Sequence, residues 1–343
     1  MTRLRIFITG STGFIGGNLA RKLADSGYRV HALCRSAKKA KLIEHKNIRI
    51  FEGDVLDTRS LEKAMEGCGH VYHLGACTTV LVQNRERYYR VNVSGTVNVL
   101  ETALRLGGKR AVVTSTAGVL GPSSGRAIDE ASERTTDFFN DYDRSKYLME
   151  RKIEDYVNKG LHVVLVNPTR VYGPGLLSQA NSATKIIQLY MRGKWRIIPG
   201  NGGRISNYVF IEDVVKGHIL AMEKGRAGER YILGGPNSSY SSFCRAVADV
   251  SHKKYRMFHI SEPLLMGMSR ILALFSRVSG SPPLITPQYV RKYLRDWEAS
   301  SEKAVKELGY SITPLETGLR RTVAWLNEMN QQKVLLSNPE GGS

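Results

Sequence analysis

The chain has 343 residues, 42% of them apolar and 24% charged, which excludes a wholly disordered, collagen-like or disulfide-stapled protein. The length allows one large or two moderate domains with a real core. The formal net charge of +19, leaning toward the second half, favours anionic partners; its basic residues are scattered as singles and pairs, the pattern of a solvated basic surface.

In chain order, Leu4–Thr9 is a short apolar run ending in a glycine-rich turn. Phe14, Ile15, Leu19 and Leu23 follow at helical spacing, and Gly27 closes that helix. The start, Met1-Thr2-Arg3-Leu4-Arg5, does not read as a signal peptide. Further strands are expected at Tyr28–Cys34, Ile48–Phe51, Val71–Leu74, Ala111–Ser115 and Leu161–Val166, with helices at Val91–Leu106 and Lys146–Val157. Strands alternating with helices give an α/β fold: a doubly wound parallel sheet, a Rossmann fold, with ligand at the strands' carboxyl ends. After Asn167 glycine and proline punctuate the chain. Short helices (Ala183–Arg192, Glu212–Glu223, Tyr240–Ser251) and strands (Tyr208–Ile211, Glu229–Leu233) suggest a smaller C-terminal substrate lobe. The expected division is a dinucleotide-binding domain over 1–175, which also receives segments near 208–235, a mostly substrate-binding lobe over 176–330, and a disordered tail over 331–343, from Gln331 on.

The most lipid-like piece is Leu264–Val278, too short to span a bilayer and interrupted by Arg270 and Arg277. Its apolar residues fall on one helical stripe, and Pro282-Pro283 form a stiff exit. It reads as a helix whose apolar stripe stays partly uncovered beside the catalytic end of a cleft. The four cysteines (Cys34, Cys68, Cys77, Cys244) lie far apart with no CxxC pair, as expected of reduced core thiols in a cytoplasmic protein without a metal site.

Four constellations carry chemistry. The first is Thr9-Gly10-Ser11-Thr12-Gly13-Phe14-Ile15-Gly16, between strand and helix. Gly10 allows the tight turn, Gly13 lets the backbone approach a pyrophosphate, and Gly16 allows close helix–strand packing. Thr12, Phe14 and Ile15 belong to the same cofactor-binding turn. The second ends the second strand, where an NAD-preferring site places an acid. This chain has Arg35, followed by Lys38 and Lys39, which suits a 2′-phosphate and favours NADP(H), with NAD(H) left open. Asp54 and Val55 are expected beside the adenine, and Leu74, Gly75 and Ala76 under the cofactor.

The third is Tyr142-Asp143-Arg144-Ser145-Lys146, which puts Tyr142 and Lys146 on one helix face. A tyrosine normally titrates near ~10. The ammonium and a cationic nicotinamide are expected to lower that value, so that Tyr142 exchanges a proton with substrate while Lys146 binds the nicotinamide ribose. The fourth is Thr114-Ser115-Thr116 past the fifth strand. Thr114 and Ser115 fall on the cofactor wall; Thr116, with Ser115 as runner-up, is expected to hold the substrate oxygen.

Together these motifs, with Tyr89-Arg90-Val91-Asn92-Val93-Ser94-Gly95-Thr96, Asn167-Pro168-Thr169-Arg170-Val171-Tyr172-Gly173-Pro174-Gly175 and Tyr208-Val209-Phe210-Ile211-Glu212-Asp213-Val214, resemble the extended short-chain dehydrogenases/reductases of the NAD-dependent epimerase/dehydratase family. The resemblance runs over about residues 4–327 and is greatest to dihydroflavonol reductases, 3β-hydroxysteroid dehydrogenases and hopanoid-associated epimerase-like proteins. It implies a catalytic set of Thr116, Tyr142 and Lys146, with Asn92 in the active-site helix and Asn167, Pro168 and Val171 lining the nicotinamide pocket. Two departures narrow the chemistry. Ala117 and Gly118 replace the Asp-Glu pair of sugar-nucleotide 4,6-dehydratases. The arginine that grips a diphosphate in epimerases is off register at Arg204, leaving Arg170 or Arg196 to serve instead.

The leading expectation is an NADP(H)-dependent oxidoreductase interconverting a ketone and a secondary alcohol on a fairly apolar small molecule. The alternative is a nucleotide-sugar epimerase with tightly held NAD. A third reading, prompted by the charge, is a non-catalytic dinucleotide sensor or RNA-binding protein on the same fold. No specific nucleic acid is expected as partner; peripheral contact with an anionic membrane and a homodimer both remain open. Substrate specificity is expected in the segments near Val80–Arg87, Leu176–Ala183 and Leu264–Ile285.

Overall fold

The computed structural model describes residues 4–78, 85–177, 181–279 and 286–337. Its first half alternates β1 (Arg5–Thr9), α1 (Phe14–Asp25), β2 (Arg29–Cys34), α2 (Ala37–Ala40), β3 (Ile48–Glu52), α3 (Thr58–Met65), β4 (His70–His73), α4 (Glu86–Tyr89), α5 (Gly95–Arg105), β5 (Arg110–Thr114), α6 (Asp141–Glu150), α7 (Ile153–Asn158) and β6 (His162–Pro168). The second half holds β7 (Arg170–Tyr172), α8 (Ser182–Met191), β8 (Ile197–Pro199), β9 (Ile205–Phe210), α9 (Ile211–Lys224), β10 (Arg230–Leu233), β11 (Asn237–Ser239), α10 (Tyr240–Ser251), β12 (Phe258–Ile260), α11 (Glu262–Ser279), α12 (Pro287–Tyr293), α13 (Glu302–Leu308) and α14 (Leu315–Ser337).

Seven parallel strands form the main sheet in the order β10-β6-β5-β4-β1-β2-β3. The order reverses between β1 and β4, so their carboxyl ends open a crevice there. Two buried clusters cover the sheet's faces. One joins α1 and α9 through Leu19, Leu23, Val214 and Ala221; the other joins α3, α5 and α7 through Leu61, Val99, Leu100 and Ile153. Two small sheets, β11-β9-β7 and β12-β8, carry the remaining strands.

Some expected elements shift for local reasons. The Val91–Leu106 helix opens with a π-helical turn over Arg90–Ser94 before α5 begins. The Lys146–Val157 helix starts earlier, because the Asn140 side chain accepts from Asp143 N and caps α6 at Asp141; it breaks at Arg151-Lys152 before α7. The expected disordered tail from Gln331 is corrected in part. The helix-forming run Gln331–Ser337 continues α14, and only 338–343 lie outside the described residues. No described helix is long and apolar enough to cross a membrane.

Candidate active site

A cleft of about 560 Å³ runs along the carboxyl ends of β1, β2, β4, β5 and β6. Gly10 stands at its centre with φ +69°, a left-handed conformation that favours glycine. A Cβ there would lie 2.6 Å from the Leu74 carbonyl carbon, and one on Gly16 would run into the Gly10 carbonyl. Gly13 caps α1 with no side-chain hydrogen bond, leaving the first-turn amides for an anion. This cradle fits the pyrophosphate of a dinucleotide. Thr12, Phe14, Ile15, Val55, Leu74, Gly75 and Ala76 line the same cleft. Asp54 lines it too, while its carboxylate accepts from Leu56 N to shape its own loop.

At the expected adenine end, Arg35 and Lys39 both line the cleft, and neither makes an ion pair among the described residues. A 2′-phosphate would meet two cations there. Beneath the crevice lies a relay absent from the sequence reading. Gly75 N donates to Thr9 Oγ1 (2.9 Å), and Thr9 Oγ1 meets His73 Nδ1 at 2.7 Å. His73 Nε2 meets Thr96 Oγ1 at 2.8 Å, and Thr96 donates to Asn92 O. Because Thr96 spends its proton on Asn92 O, His73 carries its hydrogen on Nε2 and accepts from Thr9. Burial holds the His73 pKa down at about 3, so the ring is neutral and fixes the Gly75 backbone under the cofactor.

At the other end, α6 brings Tyr142 and Lys146 to the cleft, facing Thr114, Ser115 and Thr116. The Thr116 hydroxyl accepts from Gly118 N (3.1 Å), while the buried Ser115 Oγ has no hydrogen-bond partner among the described residues. Lys146 is 2% exposed, and burial lowers its pKa to about 8 against the pull of Glu150. The Tyr142 phenol is pushed up: burial dominates, and the charge of Asp143 adds to it. The lowering expected from the ammonium and a cationic nicotinamide is corrected for the protein alone: burial is the largest influence on this phenol and favours its protonated form.

Two expected site residues stand behind the wall instead of in the cleft. Asn92 is fully buried. Its Oδ1 accepts from Cys77 N (2.7 Å), and its Nδ2 donates to Ser145 Oγ (2.8 Å), which in turn donates to Tyr142 O. Asn167, also fully buried, donates through Nδ2 to Thr116 O and to Glu150 Oε1. Both are positioning residues that tie the Tyr142 helix and the Thr116 turn to the sheet. Pro168 and Val171 do line the cleft.

The sequence reading also missed the far wall. Helix α12 and the segment after it supply Tyr289, Lys292, Tyr293 and Trp297. Lys292 Nζ lies 2.8 Å from Oδ2 of the buried Asp143, next to Tyr142. A Cβ on Gly118 would crowd this pair, which is what the departure from an acid at that position accommodates. Arg196 donates to Gly193 O and lies over Tyr255, and Arg204 pairs with Asp296 and Glu262; neither lines the cleft. Arg170 does.

Helix α11 packs on α12 and leaves a stripe uncovered: Leu264, Ile271, Leu274 (61% exposed) and Phe275 (68%), while Leu265 is buried. The expected apolar patch is therefore present against the helix that walls the cleft. Pro282, Pro283, the Arg277 side chain and residues 79–84, 178–180 and 280–285 of the expected specificity segments lie outside the described residues.

A doubly wound sheet with a glycine cradle at its switch point and a tyrosine–lysine pair across the crevice defines a dinucleotide-binding enzyme architecture. The comparisons agree: residues 6–234 match the NAD dependent epimerase/dehydratase family, and the chain belongs to it. A Synechocystis sp. protein provisionally named as a dihydroflavonol 4-reductase is 29% identical over 96% of both chains. Sterol demethylase protein B of Methylococcus capsulatus is 28% identical over 94% of this chain and 98% of that protein. The crystal structure of gox2253 superposes with a TM-score of 0.80 at 28% identity, covering 95% of this chain and 98% of that one. The chain is thus an NAD(P)-dependent oxidoreductase or epimerase of the extended short-chain dehydrogenase/reductase family.

Proposed function

We propose that the protein is an NADP(H)-dependent oxidoreductase that interconverts a ketone and a secondary alcohol on a small molecule with a fairly apolar, ring-shaped body. The observation that carries this reading is the meeting of Tyr142, Lys146 and the Ser115–Thr116 hydroxyls with the aromatic wall of Tyr289, Tyr293 and Trp297 in one cleft. The bound dinucleotide would supply the hydride. Thr116, with Ser115 beside it, holds the substrate oxygen. Tyr142 keeps a proton at its phenol oxygen, gives it to that oxygen in ketone reduction and takes it back in alcohol oxidation. Lys146 holds the ribose, and Arg35 with Lys39 receives the 2′-phosphate. The sterol name of one relative and the uncovered stripe on α11 support an apolar substrate body.

The epimerase alternative draws less support. Arg196 and Arg204 are committed elsewhere, and of the arginines considered for gripping a diphosphate only Arg170 lines the cleft among the described residues, with the exposed Arg87 on α4 and Arg35 at the expected adenine end the other arginines lining it. The test is to identify the dinucleotide that co-purifies and follow absorbance at 340 nm with ring ketones and NADPH. Stoichiometric loss of NADPH is expected. Tightly retained NAD with no exchange and no net turnover would reverse the order of the two readings.

A further inference from the structure

We propose that the substrate carries a carboxylate and that Arg170 is its receptor. The inference rests on the oxidoreductase reading for the identity of the cleft and adds the substrate's charge.

Among the described residues, the cleft is lined by Arg35, Lys39, Arg87, Lys146, Arg170 and Lys292 against a single acid, Asp54. Most of these cations have an assignment. Arg35 and Lys39 sit at the adenine end, Lys146 belongs with Tyr142, and Lys292 is held by Asp143. Arg87 is exposed on α4. Arg170 is left over. It makes no ion pair among the described residues, and its Nη1 is buried without a hydrogen-bond partner. Its guanidinium carbon lies 4.5 Å from the Tyr293 ring centroid and 5.5 Å from that of Tyr208. These rings supply attraction but no counter-charge, because burial keeps Tyr208 protonated, its pKa raised to about 12. Arg170 is half-buried, and a guanidinium with one nitrogen buried and no acid beside it carries a cost that a ligand bringing the acid removes.

Its place suits a substrate. Arg170 opens β7, two residues past Pro168, and faces α12 through Tyr293. In the same helix Tyr289 is close enough to Tyr142 to affect its proton affinity and is itself influenced by Arg170. The aromatic wall therefore bridges the reacting end and the free cation. A single planar fork between two rings matches one carboxylate, bound bidentately, whereas a diphosphate needs several donors.

The test uses the full chain loaded with NADP⁺ and matched probes: trans-2-hydroxycyclohexanecarboxylate and lithocholate, each with its methyl ester. Calorimetry reads binding, and absorbance at 340 nm reads turnover separately. At least one carboxylate should bind about ten- to a hundredfold more tightly than its ester. Arg170→Gln should bring that ratio close to one, with Arg170→Lys intermediate; dinucleotide titration checks that both variants fold. Esters binding as well as acids to the wild type would overturn the proposal, and that comparison needs no variant. An unchanged ratio in a folded Arg170→Gln protein would overturn it too. Tight carboxylate binding with no dinucleotide turnover would leave the receptor standing and sink the oxidoreductase reading instead. Equal turnover of acid and ester, with equal binding, would do the reverse.

Discussion

Replacing Lys146 with methionine should make the protein more stable at neutral pH while abolishing turnover. Lys146 is buried beside Tyr142, and burial drops its pKa from the ordinary 10.5 to about 8. At about 1.4 kcal/mol per pH unit, that fall amounts to about 3 kcal/mol of stability given up at pH 7 to keep an ammonium in the cleft. The unfolded chain holds a proton between pH 8 and 10.5 that the folded chain does not, so the wild type gains stability as pH rises through that window. Methionine fills the same slot without the charge, and Glu150 keeps Asn167 at 2.7 Å and Arg230 at 3.3 Å. Urea unfolding at pH 7 and pH 9.5 measures the difference. Lys146→Met should lead by about 3 kcal/mol at pH 7 and by about half of that at pH 9.5. A variant that is less stable than wild type at pH 7, or a gap that does not change with pH, would refute the reasoning. A gain of this kind at a catalytic position is the expected sign of a strained functional group.

Arg35→Ala should weaken NADPH binding about ten- to a hundredfold and leave NADH binding nearly unchanged, read by fluorescence titration; equal wild-type affinities for the two would contradict the cofactor assignment. Tyr142→Phe should retain dinucleotide binding and lose about 10²–10⁴ in turnover, since the proton donor to the substrate oxygen is gone; near-normal rates would place the acid elsewhere. Gly10→Ala should lose dinucleotide binding, because the residue would need φ +69° and its Cβ would sit 2.6 Å from the Leu74 backbone; retained affinity in a titration would count against the cradle. Acid should destabilise the fold early. His73 and His218 are buried neutral, with pKa values held down at about 3 and about 4, so the unfolded chain takes up protons below pH 6.5 that the folded chain refuses. Each contributes about 2 kcal/mol of lost stability at pH 5, and a urea midpoint unchanged between pH 7 and pH 5 would show the histidines to be ionised in the fold.

What the sequence disclosed follows the range of the forces involved. The glycine turn, Arg35 and the Tyr142–Lys146 pair are local patterns, each set by a strand end or one helical turn, and all of them line one cleft. Helix α3 was missed although Asp57 caps it through Arg59 N, because its apolar residues are only Leu61, Ala64 and Met65. The strands β7, β8, β11 and β12 have three residues each, too few for an alternation to register. The family resemblance implies Asn92 in the active-site helix and Asn167 in the nicotinamide pocket lining; only packing reveals that their amides point into the wall. The sign of the Tyr142 shift was out of reach for the same reason, since desolvation depends on neighbours such as Tyr289 and Tyr88 that come from distant segments.

The Lys292–Asp143 pair has a consequence for the order in which the enzyme comes to exist. Its members are 149 residues apart, so during synthesis the carboxylate is made long before its cation. An emerging chain that stops after β6 has every strand of the crevice and the helix bearing Tyr142, yet Asp143 has the hydrogen bond from Asn140 and the longer-range charge of Arg134 in place of its contact with Lys292. Closing that helix against the sheet would then take a carboxylate out of water without its contact ion pair, which weakens the closure. Docking of α12 supplies the ammonium and the aromatic wall in one event. Substrate recognition and the set of the catalytic helix therefore mature together, and a lobe grafted from a relative has to bring a cation at position 292 along with its new pocket.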